Sequence, residues 1–450
     1  MSYEYVWIEE RRKRPIATIA IVAINVAVYL YTSYQNFFAQ TTDEWINALS
    51  YVPVLLQTPS QWYRIITSMF THADIFHIFF NMWFLYFFGS EVEKSLGSLK
   101  YLILYFASGL LAIVFHTAFI PIGGGINLVI PALGASGAIS GVLGAYLMLY
   151  PRRKLSGCYL ILIIPLCFTM TASWFLLLWF ATQVIYGYLR FGGVAFFAHV
   201  GGFVSGIALV YPFARRRETV AEPLYQPFFM EWRHRPGLGR TLKAVLAILL
   251  LAVIGGAAYS TLIAPSMSGV YMYTIKVVEN GGSVTEDQAF FSPPSDTVPP
   301  STDSPRVVFN RLLWSGMLVN PMYPSNVVVR LQIPEKIIRD PNYGLRIRLS
   351  VDGLAMYDSN HILKSFNGSI KTDVINVGYY WLWPVASIGE YKTFSVSING
   401  VDVAGNVGST IVFPFAGIST LTSILALYIS IYKDREIAEE ELWFVTPFQI

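Results

Sequence analysis

GASGAISGVLGAYLMLYPRR, residues Gly134–Arg153, places a serine flanked by small residues at the head of an apolar run that closes on a proline and two arginines. A second stretch, AHVGGFVSGIALVYPFARRR (Ala198–Arg217), has the same layout with a histidine near its head. Ser136 and His199 are a hydroxyl and an imidazole, the minimum parts of a nucleophile and its base. Polar groups inside runs this apolar are expensive in a bilayer and mark function. Depth tests the pairing independently. Counting back from Tyr150 to Ser136 at 1.5 Å per residue gives roughly 21 Å of helix against a hydrocarbon core of ~30 Å. Ser136 then lies on the order of 9 Å below one face. Counting back from Arg215 to His199 gives roughly 24 Å, so the two side chains reach the same depth within about one turn.

The neighbouring small residues explain how two such helices approach. Gly137, Gly141 and Ala145 recur every fourth residue on one, and Ala198, Gly202 and Gly206 on the other. Small-xxx-small faces pack closely in lipid, where no hydrophobic drive operates between helices. Ser136 also opens its helix after the Pro- and Gly-containing loop Pro121–Ala135, so unpaired N–H groups and the positive dipole end surround it. Those groups suit a developing oxyanion.

The rest of the chain fits this setting. Of 450 residues, 54% are hydrophobic and only 13% charged, about half the charge of a soluble chain, which makes the lipid bilayer its solvent. A net charge of +3 gives no reason to expect nucleic acid. Eight apolar spans are expected: 17–32, 75–89, 101–120, 136–150, 172–189, 194–213, 244–263 and 411–432. The apolar run from Leu160 to Tyr188 exceeds one span, so its first part is read as interfacial. Basic clusters at Arg11–Arg14, Arg152–Lys154, Arg215–Arg217, Arg233–Arg240 and Lys433 with Arg435 flank these runs and assign those ends to the cytoplasm. Met1–Ile16 lacks a cleavable signal pattern and reads as a cytoplasmic N-terminus with the first span kept as an anchor. Residues 17–217 then form a six-span core, 218–243 a basic linker and 433–450 a cytoplasmic tail. Cys158 and Cys167 are the only cysteines; they read as apolar fillers and exclude a disulfide framework or a cysteine zinc site.

Residues 264–410 fall outside the membrane in this topology. Phe291–Pro305 is rich in Pro, Ser and Asp and reads as a linker. Short alternating runs at Asn326–Ile333, Leu345–Val351 and Thr393–Ile398, separated by turn residues, predict an antiparallel β-sandwich. Such a module offers a surface to an external protein or glycan.

His77 and Asn81 lie one helical turn apart near the outer end of the second span, at the depth of Ser136, and are natural oxyanion donors. His116 has no partner spaced to it on its own helix and reads as structural. Glu91, Glu93 and Lys94 read as a solvated charged loop. No His-Glu-x-x-His occurs, no Asp pair faces across spans, and neither a phosphate loop nor a transporter's carboxylate set is present. No metal or organic cofactor is expected.

The motifs Tyr63-Arg64 with Thr67, His77-x-x-x-Asn81, Glu93 with Gly97, Gly134-x-Ser136-Gly137 and Ala198-His199-x-Gly201-Gly202 resemble those of the rhomboid intramembrane serine proteases, from about Arg14 to Arg217. The resemblance implies that Ser136 is the nucleophile and His199 its general base, a dyad with no carboxylate. It implies an oxyanion hole formed by His77, Asn81 and the Ser136 N–H. His72 matches a structural histidine, Arg64 an arginine in a loop at the membrane interface, and Gly192-Gly193 a cap over the site. Residues 172–189 match a span discussed as the lateral gate for substrate. The tryptophan usual beside Arg64 is displaced to Trp62, with Tyr63 in its place. Val401–Asn406 resembles the closing strand of immunoglobulin-like surface modules. The fold expected is therefore an all-α, six-span rhomboid-like membrane core with two further transmembrane helices flanking an external all-β, immunoglobulin-like sandwich. The activity expected is endopeptidase cleavage of transmembrane protein substrates near their outer ends. The rival is a rhomboid-like scaffold that binds transmembrane segments without cutting them; a scaffold has no need of both Ser136 and His199.

Overall fold

A computed structural model describes residues 14–123, 125–161, 164–214, 231–234, 237–279, 284–293, 304–341, 344–380, 383–438 and 441–444. The basic residues Arg11–Lys13 and Arg215–Arg217, and most of the expected 291–305 linker, lie outside them. All eight expected spans are helical. They are α1 (Ile16–Ser33), α2 (Ile75–Leu96, with a π-turn at Leu85–Gly89), α3 (Ser98–Ala118), α4 (Ser136–Leu149), α5 (Ala172–Tyr188), α6 (Phe196–Phe213), α7 (Arg240–Ile263) and, last in the chain, a long helix over Ala404–Ile437. Among the described residues six helices are long and apolar enough to cross a membrane; α4 and α5 are shorter. This fits a multi-pass membrane protein.

Close packing of α4, α6 and α3 forms the centre. A Cβ on Gly202 would strike the carbonyl of Gly137, and one on Gly206 that of Gly141. Only glycine lets α4 and α6 approach with backbones in contact, as the small-residue spacing requires. The long C-terminal helix packs on α3, α6 and α7. α7 also braces α5, whose Tyr188 hydroxyl donates to the Ala252 carbonyl at 2.6 Å.

Glu93 corrects the reading of residues 91–94 as a solvated loop. Its side chain is only 2% exposed. It accepts hydrogen bonds from the Ala17 N–H (2.9 Å), the Thr18 N–H (2.7 Å), the Thr18 hydroxyl (2.7 Å) and the Ser98 hydroxyl (2.6 Å). The N-cap of α1, Pro15, makes no side-chain cap bond, so Glu93 caps that helix from another one. Glu91 and Lys94 do stay near the surface and pair with each other, Glu91 also with Arg153.

The stretch expected to be interfacial is an antiparallel hairpin of β1 (Lys154–Ile161) and β2 (Ile164–Thr171), with the backbones of Cys158 and Cys167 opposite one another. The side chains of residues 157–168 lie outside the described set.

The region after α7 holds β3 (Tyr271–Glu279), β4 (Val284–Phe291), helix α8 (Ser304–Trp314), β5 (Val328–Arg339), β6 (Arg346–Tyr357), β7 (Leu363–Tyr380) and β8 (Trp383–Asp402); the long helix over Ala404–Ile437 is α9. The strands form one antiparallel sheet in the order β4-β3-β8-β7-β6-β5. The expected two-sheet sandwich is therefore not what these strands build. Tyr273, Ile275, Val396, Ile398, Phe366 and Leu349 bury one face, and α8 covers it with Val308, Phe309 and Leu312. The Phe309 ring lies 5.4 Å from that of Tyr273. Alternation in a strand specifies that one face is covered, but a helix covers it as well as a second sheet does.

The base of this sheet region joins the membrane core. Val270, Val403, Ala404 and Val407 cluster with Val54, Ile120 and Leu128 from the loops beside α2–α4.

Candidate active site

Gly134 passes the loop into α4. Its N–H donates to the Ser68 carbonyl at 2.8 Å, and its φ is +116°. A Cβ there would lie 2.7 Å from His77 Nε2 and 3.7 Å from Ser136 Oγ, so the glycine both permits the turn and leaves room for the imidazole. Ser136 follows as the first residue of α4.

His199 sits in the first turn of α6, and its Nε2 is 2.8 Å from Ser136 Oγ. The structure thus brings together two residues 63 apart in the chain, as the depth count expects. His199 Nδ1 is 2.8 Å from Oε1 of Gln183 on α5, and the Trp179 ring lies 6.2 Å from the imidazole. Sequence reasoning passed over Gln183. A signal existed, since a lone amide midway along an apolar span needs a partner.

His77 enters from α2. Asp74 caps that helix by accepting from the Phe76 and His77 N–H groups, both at 2.9 Å. The Ala73 N–H approaches His77 Nδ1 at 3.4 Å, which makes Nδ1 an acceptor and leaves Nε2 as the N–H directed toward Gly134 and Ser136. Asn81 stands one turn further and donates one amide hydrogen to the His77 carbonyl at 2.8 Å; the amide has a second. His72 is buried with its ring edge-on to His77 at 5.0 Å.

Several of these groups line one cavity of about 630 Å³. His77, Asn81, Ser136 and His199 contribute to its wall, as do His116 and the irregular segment Arg190–Ala195. His116, read from sequence as structural, therefore reaches the same layer, with its ring near Tyr51. Arg64 lies apart, held by the carbonyls of Asn47 and Ser50 and by Gln61. Among the described residues no cluster of His, Cys, Asp or Glu could hold a metal ion.

The described residues thus form a helical bundle, six of its helices long and apolar enough to cross a membrane, with a serine hydroxyl hydrogen-bonded to an imidazole at the wall of an internal cavity. The chain matches the family described as Rhomboid domain over residues 59–216. It is 29% identical over 148 residues to the rhomboid protease GluP of Bacillus subtilis, covering 31% of this chain and 27% of that protein. It is 29% identical over 192 residues to rhomboid protein 1, mitochondrial, of Saccharomyces cerevisiae, covering 42% and 50%. It is also 31% identical over 165 residues to the inactive RHOMBOID-like protein 8 of Arabidopsis thaliana, covering 37% and 41%. The chain thus spans half or less of the length of each of these relatives.

Proposed function

We propose that this chain is an intramembrane serine endopeptidase that cleaves transmembrane protein substrates near the outer face of the membrane. The observation that carries the reading is the 2.8 Å contact between His199 Nε2 and Ser136 Oγ at the wall of a cavity among the spans. Ser136 Oγ attacks the scissile carbonyl carbon while its proton passes to His199 Nε2. The oxyanion is met by the Ser136 N–H at the head of α4, by His77 Nε2–H and by the Asn81 amide. The C–N bond then breaks and the amine departs with the proton from His199. Water enters and adds to the acyl carbon as it gives a proton to His199; the ester C–O bond then breaks while His199 returns that proton to Ser136 Oγ, releasing the acid and restoring the pair. The cycle needs no group outside the chain and water.

In this reading both ends of the chain face the cytoplasm and residues 264–410 face outward. That region recruits or restricts substrates, since a tethered module raises effective concentration without altering chemistry. Its base touches Ile120, which also lines the cavity.

The second reading is a rhomboid-like scaffold that binds transmembrane segments without cutting, and the inactive plant relative is what favours it. One experiment separates the two: a model transmembrane substrate reconstituted with wild type, S136A and H199A. Product from wild type alone supports the dyad. Substrate bound but uncut by wild type supports the scaffold, and product from S136A removes Ser136 as nucleophile.

A further inference from the structure

Beyond the pair itself, a chain of hydrogen bonds fixes the state of His199. The Thr182 hydroxyl donates to the Trp179 carbonyl at 2.6 Å, an oxygen that only accepts. Its one hydrogen is thereby used, so toward Gln183 the hydroxyl accepts, and Gln183 Nε2 donates to it at 3.1 Å. The orientation of the amide follows, with Oε1 turned to His199 Nδ1 at 2.8 Å. A carbonyl oxygen there requires hydrogen on Nδ1 and leaves Nε2 as a bare lone pair toward Ser136 Oγ–H, at 2.8 Å. Gln183 is 8% exposed, so water competes little for these bonds.

We propose that Gln183 is a positioning residue that holds His199 in its Nδ1–H tautomer with Nε2 ready to take the serine proton. The proposal rests on the serine-endopeptidase reading above and adds a third side chain to it. Gln183 does the orienting work of a triad carboxylate but is neutral. It fixes tautomer and ring direction without the charge that would stabilise the imidazolium. Because it lies on α5 while His199 lies on α6, the base is competent only while those two helices are seated together. The titratable groups facing His199 from other elements are His77 on α2 and His116 on α3.

The test has two parts. In the first, turnover of a reconstituted transmembrane substrate is compared across pH for wild type, Q183L and Q183E. Q183L keeps an apolar side chain of similar bulk, one bond shorter, and has no acceptor. It is expected to lose about tenfold in kcat with KM within about twofold, the loss of one net hydrogen bond expressed in the transition state. Q183E restores the acceptor with a negative charge. It is expected to recover kcat and to move the acidic limb of the kcat/KM profile to higher pH by about one unit, since a carboxylate beside the ring favours its protonated form. Wild-type kcat and pH profile in both variants would overturn the proposal, and Q183E alone decides it if Q183L does not fold.

The second part reads the tautomer without turnover, by nitrogen-15 NMR of histidine-labelled protein with His199 assigned through H199A. The Nδ1–H form in wild type and a mixture in Q183L are expected; the Nε2–H form in wild type would overturn the proposal. An inert wild-type enzyme would sink the protease reading and leave this tautomer result standing.

Discussion

Glu93→Gln isolates the cap that one helix lends another. Each carboxylate oxygen of Glu93 serves one backbone N–H and one hydroxyl: Oε1 takes Ala17 N–H and Ser98 Oγ–H, and Oε2 takes Thr18 N–H and Thr18 Oγ–H. An amide keeps one oxygen and turns the other into a donor. The hydroxyl facing the new NH₂ rotates to accept, but the backbone N–H facing it does not. Whichever way the amide is turned, Ala17 or Thr18 is left with an unpaired buried N–H. That costs about 1–3 kcal/mol, and losing the negative charge at the helix N-terminus adds about 0.3–1 kcal/mol. A total near 2–3 kcal/mol lowers the midpoint of thermal unfolding by about 5–10 °C for a bundle of this size. The assay is far-UV circular dichroism in detergent, with E91Q as control. Glu91 pairs at the surface with Lys94 and Arg153, and its loss should cost less than about 1 kcal/mol. An E93Q midpoint within 1–2 °C of E91Q (roughly 0.5 kcal/mol) would refute the capping account.

Two other perturbations follow from the geometry. Gly134→Ala combines a strained φ with a Cβ 2.7 Å from His77 Nε2; displacing one oxyanion donor should cut kcat by about 10²–10³ while leaving the thermal midpoint within a few degrees, and unchanged turnover in a reconstituted cleavage assay would contradict the role given to His77. Excising 271–402 and joining Val270 to Val403 through two glycines should leave a folded core, because the Val403 N–H already donates to the Val270 carbonyl at 2.8 Å; cleavage of a generic substrate should persist within about threefold, about the energy of a single weak contact, with altered preference among native ones, and unchanged preference would end the recruitment idea.

The candidate site was legible in sequence where a one-dimensional rule maps onto depth. Fixed helix rise placed Ser136 and His199 in one layer, and the i, i+4 spacing placed His77 and Asn81 on one face of α2, all four at a common cavity. The four-residue rows of glycine and alanine likewise foretold the contact of α4 with α6. Other features were hidden. Glu93 looks like its neighbours Glu91 and Lys94 in a charged run, yet the rotation of α2 turns it inward to the start of α1 while they face out. Gln183 lies in an apolar span whose sequence does not say which helix faces it.

Sequence by itself determined which segments are apolar enough to form membrane-length helices, how far along its helix each polar group sits, and the alternation of the three strand runs it named. All of these follow from the fixed rise and period of a single element. Tertiary structure decided the partners: Gln183 on His199, Glu93 on Ala17 and Thr18, and α8 in place of a second sheet. Periodicity sets the direction a side chain leaves its own axis. The group it meets depends on how a neighbouring element is rotated and shifted, which is fixed by packing summed over many residues of both.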